Sequence, residues 1–340
     1  MIIQLTPDIS PAEELHLHET VRRLGYTFNQ VTTRQNRYLI ALGKTALDPR
    51  AIGSLPGVRD IHIVTDPYQL VSRKWRVHPT RIELGDGVVV GGGGLSLMAG
   101  PCSIETDEQV AQVIAHLQAT GVTIMRGGVF KPRSSPYSFR GLGIEGLQRW
   151  HAQAQGTGIK IITEVMEPGQ IEAMYPYVDI FQVGARNSQN FNLLDALGQT
   201  DKPVMLKRGI SGTIEELLYS AEYIFSGGNE HILLCERGIR SYETAYRNLF
   251  DVNAIALLKD KTHLPVIADP SHGIGLRDFV EPVALAALMA GADGLIFEIH
   301  PVPEKASSDA QQTLSFAQSA ELTRKATALH ALQQQDFVLA

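Results

Sequence analysis

Four side chains able to bind a divalent metal, Cys102, His272, Glu298 and Asp309, stand far apart in this chain, each after an apolar run that reads as a buried strand. Six cations, Arg126, Lys131, Arg133, Arg186, Lys207 and Arg237, fall at the same kind of position. One thiolate, one imidazole and two carboxylates suit one borderline divalent ion per subunit (Mn, Fe, Co or Zn) better than Mg or Ca, which prefer oxygen alone. Cations beside such an ion bind carboxylate and phosphate oxygens, arginine in bidentate fashion. The combination implies a small polyanionic substrate and metal-assisted chemistry. Taken singly, each residue has a plainer reading. Cys102 could be a small buried hydrophobe, His272 a hydrogen-bonded structural histidine, and Asp309 the cap of a final helix beginning near Ala310. Their joint placement carries the expectation of a shared site.

A second constellation runs from Arg126 through Gly127-Gly128-Val129-Phe130 to Lys131-Pro132-Arg133-Ser134-Ser135. Two glycines let a loop close over a ligand, Pro132 stiffens it, and three cations with two hydroxyls match anionic oxygens. Glu164, Glu236 and Asp269 add acidic groups at further strand ends. Burying so many ionisable groups by chance would cost several kcal/mol each, so a common register of this kind reads as function.

The elements that must position these groups follow from the apolar runs. From Leu95 onward, short runs alternate with helical stretches: Leu95–Ala99, 123–125, 160–163, 179–182, 204–206, 232–235, 266–268 and 295–297. Eight such strand–helix units predict an α/β fold, a (β/α)8 TIM barrel, with the charged residues gathered at the carboxyl-end mouth. A doubly wound sheet would carry a glycine fingerprint at its first turn, and Ala99-Gly100-Pro101-Cys102 is not one.

Ahead of the barrel, residues 1–65 read as a small βαββαβ ferredoxin-like domain. Ser10-Pro11-Ala12-Glu13 is a helix start with a capping box, 26–31 and 37–42 form a hairpin, Asp48-Pro49 starts a second helix, and 58–64 is the last strand. Residues 66–80 read as a linker with few apolar anchors. Residues 81–330 form the barrel domain, opened by a hairpin turning at Gly85-Asp86-Gly87, and 331–340 a carboxyl-terminal tail. The run Gly91-Gly92-Gly93-Gly94 lacks the Lys-Ser/Thr of a phosphate loop and reads as a connector.

Composition excludes several classes. A net charge of −6 on 340 residues argues against nucleic acid as partner. The most apolar stretch, 283–297, is broken by Gly291, Asp293 and Gly294, so no membrane span is expected. Met1-Ile2-Ile3-Gln4-Leu5 is too short for the apolar core of a signal peptide. With only two cysteines, Cys102 and Cys235, a disulfide framework is not expected and a cytoplasmic location is.

The motifs resemble a known family. Ala99-Gly100-Pro101-Cys102-Ser103, Arg126-Gly127-Gly128, Lys131-Pro132-Arg133-Ser134, Gly184-Ala185-Arg186-Asn187, Leu206-Lys207-Arg208-Gly209, Cys235-Glu236-Arg237-Gly238 and Asp269-Pro270-Ser271-His272 are similar to those of the 3-deoxy-D-arabino-heptulosonate-7-phosphate (DAHP) synthases. They resemble the type I subfamily related to 3-deoxy-octulosonate-8-phosphate synthase, and the likeness covers about residues 80–330. The amino-terminal module resembles the ferredoxin-like regulatory extension of some members. The resemblance implies condensation of phosphoenolpyruvate with erythrose 4-phosphate, the first step of the shikimate pathway to aromatic amino acids. It implies that Arg126, Lys131, Arg186, Lys207 and Arg237 hold phosphoenolpyruvate, and that Arg133 and Ser134 take the phosphate of the aldose. Cys102, His272, Glu298 and Asp309 would be metal ligands, Lys131 a proton donor, and Glu164 and Asp269 would handle water or orient ligands. It further implies a homotetramer and feedback inhibition by an aromatic amino acid.

Two other readings are weighed. The octulosonate-8-phosphate synthases use arabinose 5-phosphate, and their loop reads Lys-Ala-Asn-Arg-Ser where this chain has Lys131-Pro132-Arg133-Ser134. A barrel that binds phosphorylated metabolites without turnover would not need both a metal set and a substrate set.

Overall fold

The computed structural model describes residues 1–43, 49–131, 137 and 139–335. Its amino-terminal part follows the alternation of apolar residues. Strand β1 (Ile2–Leu5), helix α1 (Pro11–Arg23), strands β2 (Thr27–Thr32) and β3 (Arg37–Leu42), the short helix α2 (Arg50–Gly53) and strand β4 (Val58–His62) form an antiparallel sheet of order β2-β3-β1-β4. Ser10 and Glu13 make the expected capping box, satisfying amides that the first turn of a helix leaves without partners. Ile3, Leu17, Val21, Leu39 and Ile52 fill the space between helices and sheet. The expected helix start at Asp48 lies outside the described residues.

The segment after β4, expected as a linker with few apolar anchors, carries several. Tyr68, Leu70 and Val71 are buried. The backbone amides of Gln69, Leu70 and Val71 donate to the Glu222 carboxylate at 3.0, 2.9 and 3.0 Å. His263 completes the anchorage, its ring nitrogens bonded to Thr80 Oγ1 at 2.7 Å and to the Leu70 carbonyl at 2.8 Å. Buried amides need partners, and here the barrel supplies them.

A hairpin of β5 (Arg81–Glu83) and β6 (Val89–Gly91) then plugs the amino-terminal end of the barrel. Ile82, Val88 and Val90 pack on Met98, Ile124, Ile180 and Met205 from inside it. The closed barrel runs β7 (Ser96–Gly100), β8 (Ile124–Arg126), β9 (Lys160–Val165), β10 (Ile180–Val183), β11 (Val204–Lys207), β12 (Ile232–Glu236), β13 (Val266–Ala268) and β14 (Gly294–Glu298), all parallel, with β14 pairing back onto β7. Its strands are buried on both faces, which is why they read as unbroken apolar runs. Around them lie α3 (Asp107–Thr120), α4 (Gly143–Ala154), α5 (Ile171–Met174), α6 (Phe191–Gly198), α7 (Ile214–Ser226), α8 (Val252–Lys261), α9 (Pro270–Ile274), α10 (Arg277–Met289) and α11 (Phe316–Gln333). The last helix starts at Phe316 rather than near Ala310. Its cap is Ser315, in a capping box with Gln318. Asp309 therefore does not cap it.

The amino-terminal module sits against the end of the barrel opposite the mouth. Thr33 Oγ1 donates to Glu230 at 2.8 Å, Arg34 pairs with Asp201, and Tyr38 lies edge-on to Trp75 and Phe225. Residues 201 and 230 belong to the segments that lead into β11 and β12. No helix among the described residues is long and apolar enough to cross a membrane.

Candidate active site

Each strand of the barrel delivers its chemistry at or just past its carboxyl end. Arg126, Lys207, Glu236 and Glu298 are the last residues of β8, β11, β12 and β14, one residue earlier relative to the strand than the sequence implied. Two adjoining groupings result.

The first grouping brings Cys102, Glu298 and Asp309 together, with one donor atom from each lying within 4.8 Å of the others. Cys102 Sγ donates to Asp309 Oδ2 at 3.2 Å. His272 joins them, its Nε2 3.5 Å from Glu298 Oε1 and 4.0 Å from Asp309 Oδ2. Donor atoms bonded to one metal at about 2.0–2.3 Å stand about 3–4.5 Å apart, so Cys102, Glu298 and Asp309 fit such an ion, with His272 within reach of the two carboxylates. The second layer agrees. His272 Nδ1 bonds to Asp269 Oδ2 at 2.8 Å, which leaves Nε2 to face the cluster, the arrangement usual for metal-bound histidine. Asp269 also accepts from the His272 amide as cap of α9 and pairs with Lys207 Nζ. Asp309 holds φ at +54°, a left-handed conformation that aspartate tolerates better than most residues.

The charges explain the protonation states. Burial, with Glu298 adding to it, pushes the Cys102 thiol up to about 11. Burial works to raise Asp269 too, but His272 and Lys207 outweigh it and hold that carboxyl well below its ordinary range. Asp309 is lowered in the same way, burial being overcome by Arg247 and His272. Burial lowers His272 despite Asp269 and Glu298, favouring the neutral ring, the form that can ligate a metal.

The second grouping is a cavity of about 110 Å³ lined by Arg126, Lys131, Glu164, Arg186, Lys207 and Arg237, with His272 and Asp309 also in its wall. Arg126 is anchored by Glu298 Oε1 at 3.0 Å and the Pro101 carbonyl at 2.8 Å. Lys131 Nζ reaches the Cys102 carbonyl at 2.9 Å and its sulfur at 3.2 Å, joining the two groupings. Arg237 is 6% exposed, and burial lowers its guanidinium below the usual value. A buried cation of this kind favours an anion as partner. Gly184 lies so close to Glu164 that any Cβ there would overlap the carboxylate. The expected ligands of the second phosphate, Arg133 and Ser134, lie outside the described residues.

The sequence reading missed three residues at the mouth. Arg247 and Gln182 line the cavity, and Gln312 donates to Glu298 Oε2 at 2.7 Å. Gln182 sits inside a strand run and could have been found by asking why a polar residue interrupts it. Arg247 and Gln312 lie in loops with no local pattern to mark them.

A closed parallel barrel with its ionisable groups collected at the strand carboxyl ends defines an enzyme of the (β/α)8-barrel class. Within that class the chain belongs to the DAHP synthetase I family, whose sequence profile matches residues 76–335. It is 47% identical over 272 residues to the phospho-2-dehydro-3-deoxyheptonate aldolase of Thermotoga maritima, an alignment covering 80% of each chain. A crystal structure of the phospho-2-dehydro-3-deoxyheptonate aldolase (DAHP synthase) from Thermotoga maritima covers 98% of this chain and 97% of its own, with TM-score 0.78 and 39% identity. A truncated form of the 3-deoxy-D-arabino-heptulosonate 7-phosphate synthase from the same organism covers 78% of this chain and 97% of its own, with TM-score 0.73 and 42% identity.

Proposed function

We propose that the protein condenses phosphoenolpyruvate with erythrose 4-phosphate to give DAHP and inorganic phosphate, with one divalent metal per subunit held by Cys102, His272, Glu298 and Asp309. The observation that carries this reading is the junction at Lys131, which ties the cysteine of the cation cluster to the wall of the anion cavity. Arg126, Lys131, Arg186, Lys207 and Arg237 hold the carboxylate and phosphate of phosphoenolpyruvate and stabilise charge on it. Arg133 and Ser134 hold the phosphate of the aldose. When bound, the metal supplies Lewis acidity at the aldehyde oxygen. The site aligns C3 of phosphoenolpyruvate with the aldehyde carbon, and the new carbon–carbon bond forms between them. Lys131 Nζ gives a proton to the resulting alkoxide. Water, oriented by Glu164 or Asp269, adds at C2, and phosphate leaves with cleavage of the C2–O bond.

Family membership supports assigning this reaction to the barrel, residues 81–330. Residues 1–65 are read as a regulatory module joined through 66–80, with 331–340 as a tail. The regulatory ligand is an aromatic amino acid, tyrosine or phenylalanine, and the working assembly is a cytoplasmic homotetramer. A phosphate-release assay tests the activity: turnover is expected with phosphoenolpyruvate and erythrose 4-phosphate together. Turnover with arabinose 5-phosphate in its place, or none with either, would overturn the assignment. The loop is tested separately. Arg133→Ala is expected to raise KM for erythrose 4-phosphate about ten- to a hundred-fold, the value of a charge-assisted hydrogen bond, with a smaller effect on phosphoenolpyruvate.

A further inference from the structure

Two side chains at the mouth belong neither to the proposed ligand set nor to the proposed substrate set. Gln312 is 2% exposed and bonds on both sides. Its Nε2 donates to Glu298 Oε2 at 2.7 Å, and its Oε1 accepts from Arg247 Nη1 at 2.6 Å. The same Arg247 nitrogen donates to Asp309 Oδ1 at 3.2 Å. Guanidinium has no acceptor, so the contact with Arg247 fixes which way the amide faces, and its NH₂ must point to Glu298.

The two carboxylates are thereby treated alike. The oxygens turned away from the cluster, Glu298 Oε2 and Asp309 Oδ1, are taken by Gln312 and Arg247. The remaining oxygens face inward: Glu298 Oε1 lies 3.5 Å from His272 Nε2 and also accepts from Arg126 Nη1 at 3.0 Å, and Asp309 Oδ2 lies 3.2 Å from Cys102 Sγ. A carboxylate free on both sides can swing or bind a metal through both oxygens. We infer that Arg247 and Gln312 are positioning residues that offer one oxygen of each carboxylate to the metal and so set the number of donors. This inference rests on the metal reading given above.

Electrostatics alone predicts the opposite sign. Arg247 is a cation beside a cation site, so if only charge mattered, removing it would tighten metal binding. Removing a partner that orients ligands weakens metal binding, typically ten- to a hundred-fold.

The test is a titration of the chelator-treated full chain with Co²⁺, followed by thiolate-to-cobalt charge-transfer absorption and by chelator competition. Wild type is expected to show the band and Cys102→Ser to lack it. Arg247→Met and Gln312→Met are expected to keep the band and bind Co²⁺ about ten- to a hundred-fold more weakly. The Arg247 side chain is 37% exposed, so Arg247→Met should leave the metal-free melting temperature at the wild-type value and separates positioning from misfolding. Unchanged or tighter Co²⁺ binding in Arg247→Met overturns the positioning role. Absence of the thiolate band in wild type overturns the metal reading, and this inference with it.

Discussion

Cys102 shows how much one residue is asked to do. Its sulfur meets the Asp309 carboxylate and the Lys131 ammonium at 3.2 Å each, while burial keeps it a thiol in the metal-free protein. A bound cation reverses that preference, because metal coordination deprotonates a thiol outright. Cys102→Ala is therefore expected to fold, lose most turnover and retain little metal by elemental analysis. Full activity in a chelator, with metal shown to be absent, would contradict the ligand set. Gly184→Ala makes the converse point, since a methyl group there collides with Glu164 rather than removing a contact. A fall in kcat of at least about ten-fold is expected, the scale of a disturbed general acid–base or water-orienting group. The residue types at the strand ends were legible in the sequence because buried charge is costly and rarely placed without cause. Gln312 was not, because a neutral amide is common on any surface and its worth comes from two partners distant in the chain.

At the scale of elements, barrel strands doubly buried in a parallel sheet give continuous apolar runs, so their positions could be read to within a residue or two. The errors fell at junctions. Helix α11 was expected six residues early, although Ser315 and Gln318 spell its capping box. The segment 66–80 shows few apolar anchors in the sequence, yet Tyr68, Leu70, Val71 and Trp75 are anchors; the partners that hold this segment, Glu222 and His263, lie far away in sequence. His263 makes the anchorage sensitive to acid. Burial holds its ring down to about 3 from an ordinary 6.5. The unfolded chain then takes up a proton first as the pH falls. The stability His263 contributes is complete above about pH 6.5 and lost at up to about 1.4 kcal/mol per pH unit below it. His263→Gln, which can bond both Thr80 and the Leu70 carbonyl without titrating, is expected to flatten the pH dependence of unfolding between pH 6.5 and 5. An unchanged slope in that window would assign it to other groups.

For the whole molecule, the decisive arrangement is that the amino-terminal module docks at the end of the barrel away from the mouth. Ile2, Val31, Tyr38 and Ile40 share one continuous core with the barrel through Trp75 and Phe225. Deleting residues 1–65 is expected to leave a metal-dependent synthase that ignores tyrosine and phenylalanine. It should melt several degrees lower, because each buried apolar side chain left uncovered costs about 1.5–3 kcal/mol. Insensitivity of the intact protein to both amino acids would remove the regulatory role and leave the module a structural one. The closure of the barrel has a different consequence, in the order of events during folding. Strand β7 pairs with β14, and Cys102 meets Asp309 across 207 positions of chain. The seam and the cation cluster are the same place. A growing chain cannot close its barrel until β14 has been made, so seven strands must wait with an edge exposed. The proposed metal, if bound there, would fasten the first strand to the last and oppose the fraying that would reopen the ring.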